Sequence, residues 1–147
     1  IIWGNHSPTM YPDFENMDCN GQSGKDAISD MDWINNNFLP TVQQRGKAVI
    51  DSRGASSATS AAKAALDTVV ACENPTAPGD CFSAAVITDG SYDLPDGIIC
   101  GMPLRTLEDG NIEVVKDIVL SEFAKEKIQI STNELLEERA AVEDLLK

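Results

Sequence analysis

A glycine-containing turn between two apolar segments constrains the fold of this chain more than any other feature. Residues 97–107 and 111–115 are rich in β-branched and other apolar side chains, and the tripeptide Glu108-Asp109-Gly110 separates them. Glycine supplies the positive φ that a tight connection between neighbouring strands requires. The pattern predicts an antiparallel hairpin, and the segment CFSAAVI at residues 81–87 predicts a further strand before it. The second half of the chain is therefore predicted to be antiparallel β-structure.

Helical patterns precede these strands. From Asp30 to Ser52, apolar side chains recur at near-helical spacing, and Pro40 interrupts them, which predicts a bent or two-piece helix. Arg53-Gly54 ends this segment. Ser56 or Ser57 is predicted to cap a second helix, rich in alanine and serine, that reaches about Cys72.

Two further helices are predicted near the end of the chain. The first is short and covers about residues 121–127, and the second is longer and begins near Thr132. Ser131 and Glu134 have the S-x-x-E spacing of a capping box, in which each side chain accepts from a backbone N–H of the first turn. Helices and antiparallel hairpins in one chain of 147 residues predict a single α+β domain over residues 1–147.

The charge of the chain excludes several classes of partner. It has 24 acidic and 11 basic side chains and a formal net charge of -13, so it repels nucleic acid and anionic membrane surfaces. No stretch approaches the roughly 18 apolar residues of a membrane span. The four cysteines, Cys19, Cys72, Cys81 and Cys100, have neither CxxC spacing nor a histidine placed for zinc. We therefore expect reduced thiols, a cytoplasmic protein and no metal.

His6 is the only histidine, and imidazole is the one side-chain type here that ordinarily exchanges a proton near neutral pH. It follows an apolar strand predicted at Ile1–Gly4, where a histidine can equally be structural or solvated. The flanking residues GNHSPTMYPD, at 4–13, resemble the active-site histidine segment of cytosolic-type malate dehydrogenases in the lactate/malate dehydrogenase family. Residues 41–66 resemble the family's pair of C-terminal-domain helices, and the strings APGD, DGSY, LPDG and LSEFAKEKI follow in the family's order.

This resemblance implies a fold and a function. It implies the substrate-side C-terminal domain of L-malate dehydrogenase, which interconverts malate and oxaloacetate with NAD, and a homodimer that associates through the helix at 56–70. Because the chain opens inside a predicted strand, we expect a fragment whose N-terminal Rossmann half, which binds NAD, is absent. The carboxylate that orients the histidine and the arginines that clamp a dicarboxylate would belong to that half. Arg45 and Arg53 are assigned no substrate role.

The resemblance also implies residue roles. His6 would take the hydroxyl proton of malate as hydride leaves for the nicotinamide, and Ser56 and Ser57 would face the carboxamide and the substrate. The alternative role for the two serines is helix capping. Two alternative functions stay open: a non-catalytic acidic α+β association module, and a lactate-specific member of the same family. The sequence does not separate NAD from NADP.

Overall fold

A computed structural model describes residues 1–146 and forms an α+β domain with three small antiparallel sheets. Strand β1 (Ile2–Trp3) pairs with β2 (Tyr11–Pro12), and β3 (Asp18–Cys19) pairs with β4 (Gln22–Ser23). The second pair forms a short hairpin in the polar segment after β2. A single helical turn, α1 (Gly24–Ala27), follows it directly.

The largest sheet contains the hairpin that the sequence predicted. Strands β5 (Phe82–Ile87), β6 (Ile99–Thr106) and β7 (Ile112–Val114) are antiparallel in the order β5-β6-β7. Gly110 has φ +81° and donates its N–H to the carbonyl of Leu107 at 2.9 Å. The glycine therefore closes the turn with the positive φ that the prediction requires.

The helix predicted over 30–52 is divided into segments, as expected. It comprises α2 (Met31–Trp33), a π-helical turn (Ile34–Phe38), α3 (Leu39–Gln43) and, after a break at Gln44, α4 (Arg45–Arg53). The π-helical turn ends at Phe38, two residues before Pro40, which has no N–H to continue the regular helical ladder.

The predicted serine cap of the next helix is wrong. Helix α5 (Thr59–Glu73) begins after Ala58, and no side chain caps its first turn. Ser56 and Ser57 lie before the N-cap position, in the linker that follows Gly54, and make no capping hydrogen bond to the helix. No side chain of α5 is buried within residues 1–146.

The predicted division of the C-terminal helix is also wrong. One continuous helix, α6 (Glu122–Ala141), begins after Ser121, whose Oγ accepts from the backbone N–H of Ala124 at 3.1 Å. Ser131 and Glu134 therefore lie in the middle of α6 and form no capping box. The S-x-x-E spacing is misleading here. In a helix interior the backbone N–H groups are already hydrogen-bonded, so none is free to donate to these side chains.

The hydrophobic core lies between the strands and α6. Its largest fully buried members are Trp3, Tyr11, Phe14, Ile34 and Met102, and Cys100 is also fully buried. Among residues 1–146, no helix combines the length and apolar character needed to cross a bilayer.

Candidate active site

A short loop between β1 and β2 carries His6, as the sequence predicted. Its first residue, Gly4, exchanges two backbone hydrogen bonds with Gly101 of β6, at 3.1 and 2.8 Å. Ser7 and Met10 close a turn through a backbone hydrogen bond of 3.1 Å. His6 therefore lies between a point fixed on the sheet and a closed turn.

Helix α6 binds this loop through Ser131, which is fully buried. The backbone N–H of Asn5 donates to Ser131 Oγ at 2.8 Å, and the hydroxyl of Ser131 lies within hydrogen-bond distance of Thr9 Oγ1, at 2.9 Å. These two contacts join both ends of the loop to one side chain. The loop thereby acquires a defined position on the helix.

Glu134, one turn further along α6, makes the densest set of contacts with the loop. Its Oε2 accepts from the hydroxyl of Ser7, from Thr9 Oγ1 at 2.6 Å and from Asn5 Nδ2 at 3.0 Å. The hydrogen bonds from Ser7 and Thr9, followed by that from Asn5, hold the pKa of the Glu134 carboxyl below its ordinary value, although partial burial opposes them. The group is therefore a carboxylate at neutral pH.

The strand before the loop is anchored by Trp3, which is fully buried. Its Nε1–H donates to Asp13 Oδ2 at 3.2 Å, and its ring packs edge-on against Tyr92 with centroids 4.9 Å apart. The phenol oxygen of Tyr92 in turn donates to the carbonyl of Val115 and accepts from the N–H of Ile118. This chain of contacts holds β1 in register beneath the histidine.

His6 itself is exposed and lines a pocket of about 180 Å³. Within residues 1–146 its imidazole makes no hydrogen bond or ion pair, so it is free to meet a ligand. The rest of the pocket wall is formed mainly by small or apolar side chains and backbone: Ile2, Gly4, Asn5, Met10, Ser83, Ala84, Ala85 and Gly101.

The structure does not bring the two predicted serines to this pocket. Ser56 is exposed and Ser57 is half-buried in the linker before α5, and neither lines the pocket that contains His6. In the described part of the chain no hydrogen bond joins either serine to His6. The role predicted for them therefore stays a prediction.

Sequence reasoning missed the part that α6 plays at this site. The spacing of Ser131 and Glu134 predicted helix capping and gave no indication of a contact with the loop. Their proximity to the loop depends on contacts across more than a hundred residues of sequence. The available signal was the hydroxyl and amide side chains of Asn5, Ser7 and Thr9, which a carboxylate could bind.

The pocket fits a small ligand, or one end of a larger ligand, and not a whole dinucleotide. Its volume of about 180 Å³ is below the roughly 300–1,000 Å³ of pockets that enclose drug-sized ligands. The sequence also contains no GxGxxG turn that could hold a pyrophosphate. Within residues 1–146, no group of three or more His, Cys, Asp or Glu side chains is placed to hold a metal ion.

The α+β domain presents one exposed histidine on a loop that is anchored to both the sheet and α6. Residues 1–145 match the family described as lactate/malate dehydrogenase, alpha/beta C-terminal domain. The chain belongs to this family. The match confirms the family and the C-terminal domain that the sequence resemblance indicated.

Solved structures agree with this assignment. Malate dehydrogenase from Naegleria fowleri ATCC 30863 is 41% identical with a TM-score of 0.88, over 98% of this chain and 44% of that chain. Trichomonas vaginalis lactate dehydrogenase in complex with NADH and oxamate is 26% identical with a TM-score of 0.88, over 99% of this chain and 45% of that chain. The chain thus spans less than half the length of these relatives.

Proposed function

We propose that the protein containing this chain is an NAD-dependent L-malate dehydrogenase, which oxidises malate reversibly to oxaloacetate. The observation that carries the proposal is His6, an exposed imidazole on a loop that Ser131 and Glu134 fix in place. In a chain of this family, a positioned imidazole beside a small pocket suits proton exchange with a hydroxy acid.

The preference for malate over lactate rests on sequence. The malate dehydrogenase from Naegleria fowleri is 41% identical, against 26% for the Trichomonas vaginalis lactate dehydrogenase, although both have a TM-score of 0.88. Equal fold similarity means that the backbone does not favour either substrate, whereas the identity favours malate. Lactate oxidation is therefore the alternative to be tested beside it.

The chemistry of this chain centres on the substrate hydroxyl. His6 accepts the hydroxyl proton while the C–H bond on the same carbon breaks and the hydride leaves with its electron pair. The nicotinamide of NAD supplies the acceptor for that hydride. In the reverse direction His6 returns the proton to the carbonyl oxygen. Ser56 and Ser57, in the linker before α5, would face the carboxamide and the substrate, where a hydroxyl can donate or accept.

The decisive experiment measures turnover in the complete protein. We expect malate oxidation and oxaloacetate reduction with NAD(H), with kcat/KM for malate above that for lactate. His6→Asn should lower kcat by roughly 10²-fold or more, the scale for loss of a positioned general base, with little effect on NADH affinity measured by fluorescence titration. A His6→Asn rate within a few-fold of wild type would remove His6 from the mechanism, and faster turnover of lactate would establish the alternative.

We also propose that the complete protein is a cytoplasmic homodimer. Helix α5 supports dimerisation because Leu66, Val69 and Val70 are between 58% and 66% exposed, and such a helix face gains stability when covered. Leu66→Glu should shift the sedimentation equilibrium toward monomer. Thr68→Glu, which adds the same charge on the opposite side of α5, should not. A wild-type protein that is monomeric at micromolar concentration would contradict the dimer. It would not distinguish malate from lactate as the substrate.

A further inference from the structure

The contacts of Glu134 with the histidine loop are concentrated on a single atom. One oxygen, Oε2, accepts from three donors: the hydroxyls of Ser7 and Thr9 and the side-chain amide of Asn5. Hydrogen bonds to an ionised acceptor are roughly twice as strong as those between neutral groups. Glu134 is therefore the strongest attachment of the loop to α6.

The partners of Glu134 lie on both sides of His6. Asn5 precedes the histidine directly and Ser7 follows it directly. With the neighbours on both sides bound to one carboxylate, the backbone at His6 can move little without breaking charge-assisted hydrogen bonds. The imidazole is left free to meet a ligand, whereas the backbone from which it projects is held.

These contacts do not serve the helix itself. Glu134 lies more than three turns after Ser121, the residue that caps α6, so it satisfies no backbone N–H at the helix start. Asn5 also donates to Glu138 Oε1 at 2.8 Å, but Glu138 is exposed and accepts from no other loop residue. Exposed polar contacts contribute little. Glu134 is therefore the carboxylate of α6 that binds several residues of the loop.

We propose that Glu134 is a positioning residue for His6: it fixes the loop so that the imidazole stands in reacting geometry with the substrate hydroxyl. This inference rests on the proposed function. Misplacement of a reacting group by about 1 Å can cost about 10²-fold in rate. Groups that orient a catalytic side chain without touching substrate act through that geometry.

The test uses the complete protein with Glu134→Gln and Glu134→Ala, and with Glu137→Gln as the matched control. Glu137 is exposed on the same helix and makes no hydrogen bond or ion pair with residues 1–146. The readouts are kcat per active site counted by NADH binding, KM for malate, the isotope effect on kcat with malate deuterated at C2, and thermal unfolding. Counting sites removes any effect of a misfolded fraction.

We expect kcat per site to fall roughly 10- to 100-fold in Glu134→Ala and less in Glu134→Gln, whose amide oxygen accepts without a charge. NADH affinity should stay within two-fold, and the isotope effect should be at least as large as in wild type because the chemical step is slowed. Glu137→Gln should match wild type in every readout.

Two results separate failure of this inference from failure of the proposed function. In the first result, wild type oxidises malate and Glu134→Ala has a kcat per site within two-fold of wild type, whether or not its unfolding temperature is lower. That result would overturn the positioning role and leave the proposed function standing. A complete wild-type protein that oxidises neither malate nor lactate would overturn both. If lactate is the better substrate, the same ratios measured with deuterated lactate decide the role of Glu134.

Discussion

Gly4 and Ser131 approach each other so closely that no larger residue fits at position 4. A β-carbon on Gly4 would lie 2.2 Å from Ser131 Oγ and 2.5 Å from Ser131 Cβ, and Gly4 has φ +91°. The same serine oxygen accepts from the N–H of Asn5 at 2.8 Å. The close approach therefore places the helix hydroxyl where it can bind the residue before His6.

Gly4→Ala should destabilise the protein strongly, because it adds both a steric clash and an unfavourable φ. We expect a loss of about 2–4 kcal/mol in the free energy of unfolding, measured by urea denaturation with tryptophan fluorescence. The matched control is Gly54→Ala, since Gly54 has φ +72° and a β-carbon added there would meet no atom within 4 Å. It should lose only about 1 kcal/mol.

The clash can be isolated with a double-mutant cycle. Ser131→Gly removes the two atoms that a β-carbon at position 4 would meet, so it should recover part of the loss caused by Gly4→Ala. Additive effects of the two substitutions would show that the Gly4–Ser131 contact is not what restricts position 4.

Asp13→Ala should also be costly, because this buried carboxylate serves several donors. It accepts from Trp3 Nε1 at 3.2 Å, from the backbone N–H of Asn16 at 3.1 Å and from Asn16 Nδ2 at 2.9 Å. Removing it leaves the indole N–H of Trp3 buried without a partner, so we expect a loss of about 2–4 kcal/mol. Asp18→Ala, which removes an exposed carboxylate from a single turn contact, should lose under about 1 kcal/mol by the same assay. Equal losses for Asp13→Ala and Asp18→Ala would contradict the role of Asp13 as the acceptor for the Trp3 indole N–H.

The elements that local sequence determines were predictable. Gly110 indicates the β6–β7 turn because the turn requires a residue with positive φ, and glycine adopts it easily. Pro40 indicates the irregular helix because a proline has no N–H to donate within a helix. The strand before His6 and the loop that carries it were predictable on the same basis. The family assignment depended on motif resemblance in addition.

Contacts distant in sequence were not predictable. Ser131 and Glu134 fit a local capping pattern, and only the packing of α6 against the loop shows that they bind Asn5, Ser7 and Thr9 instead. A helix can continue through Ser131 because its hydroxyl finds a tertiary partner rather than competing for the helix backbone. The local pattern therefore identified Ser131 and Glu134 as hydrogen-bonding residues but predicted the helix backbone, and not the loop, as their partner.

The four cysteines should differ sharply in reactivity toward a thiol reagent. Cys19, Cys72 and Cys81 are partly accessible, whereas Cys100 is fully buried in β6. Burial raises the pKa of the Cys100 thiol, and also raises that of Cys81, which lowers the thiolate fraction at neutral pH. In native protein we expect three thiols to react and Cys100 to react only as the structure opens, on the order of 10²-fold slower for an opening free energy of about 3 kcal/mol. Cys100→Ala should remove the slow phase alone, and fewer than four reactive thiols after denaturation would reveal a disulfide.

The contribution of Glu134 to stability should disappear in acid. Hydrogen bonds from Ser7 and Thr9 lower the pKa of this carboxyl in the folded protein, whereas an unperturbed glutamate in the unfolded chain has a pKa of about 4.3. The contribution is therefore complete above that value and is lost as the pH falls through the lowered folded-state pKa.

At pH 7, Glu134→Gln should lose about 1–3 kcal/mol, the range for hydrogen bonds to a charged group. The difference between wild type and variant should shrink as the pH falls below the unfolded-state pKa. Urea denaturation across this pH range measures it, at low protein concentration because the pI near 4.2 reduces solubility there. Glu137→Gln should differ little from wild type at pH 7. A Glu134→Gln difference that stays constant or grows in acid would show that the carboxylate does not hold the loop through its charge.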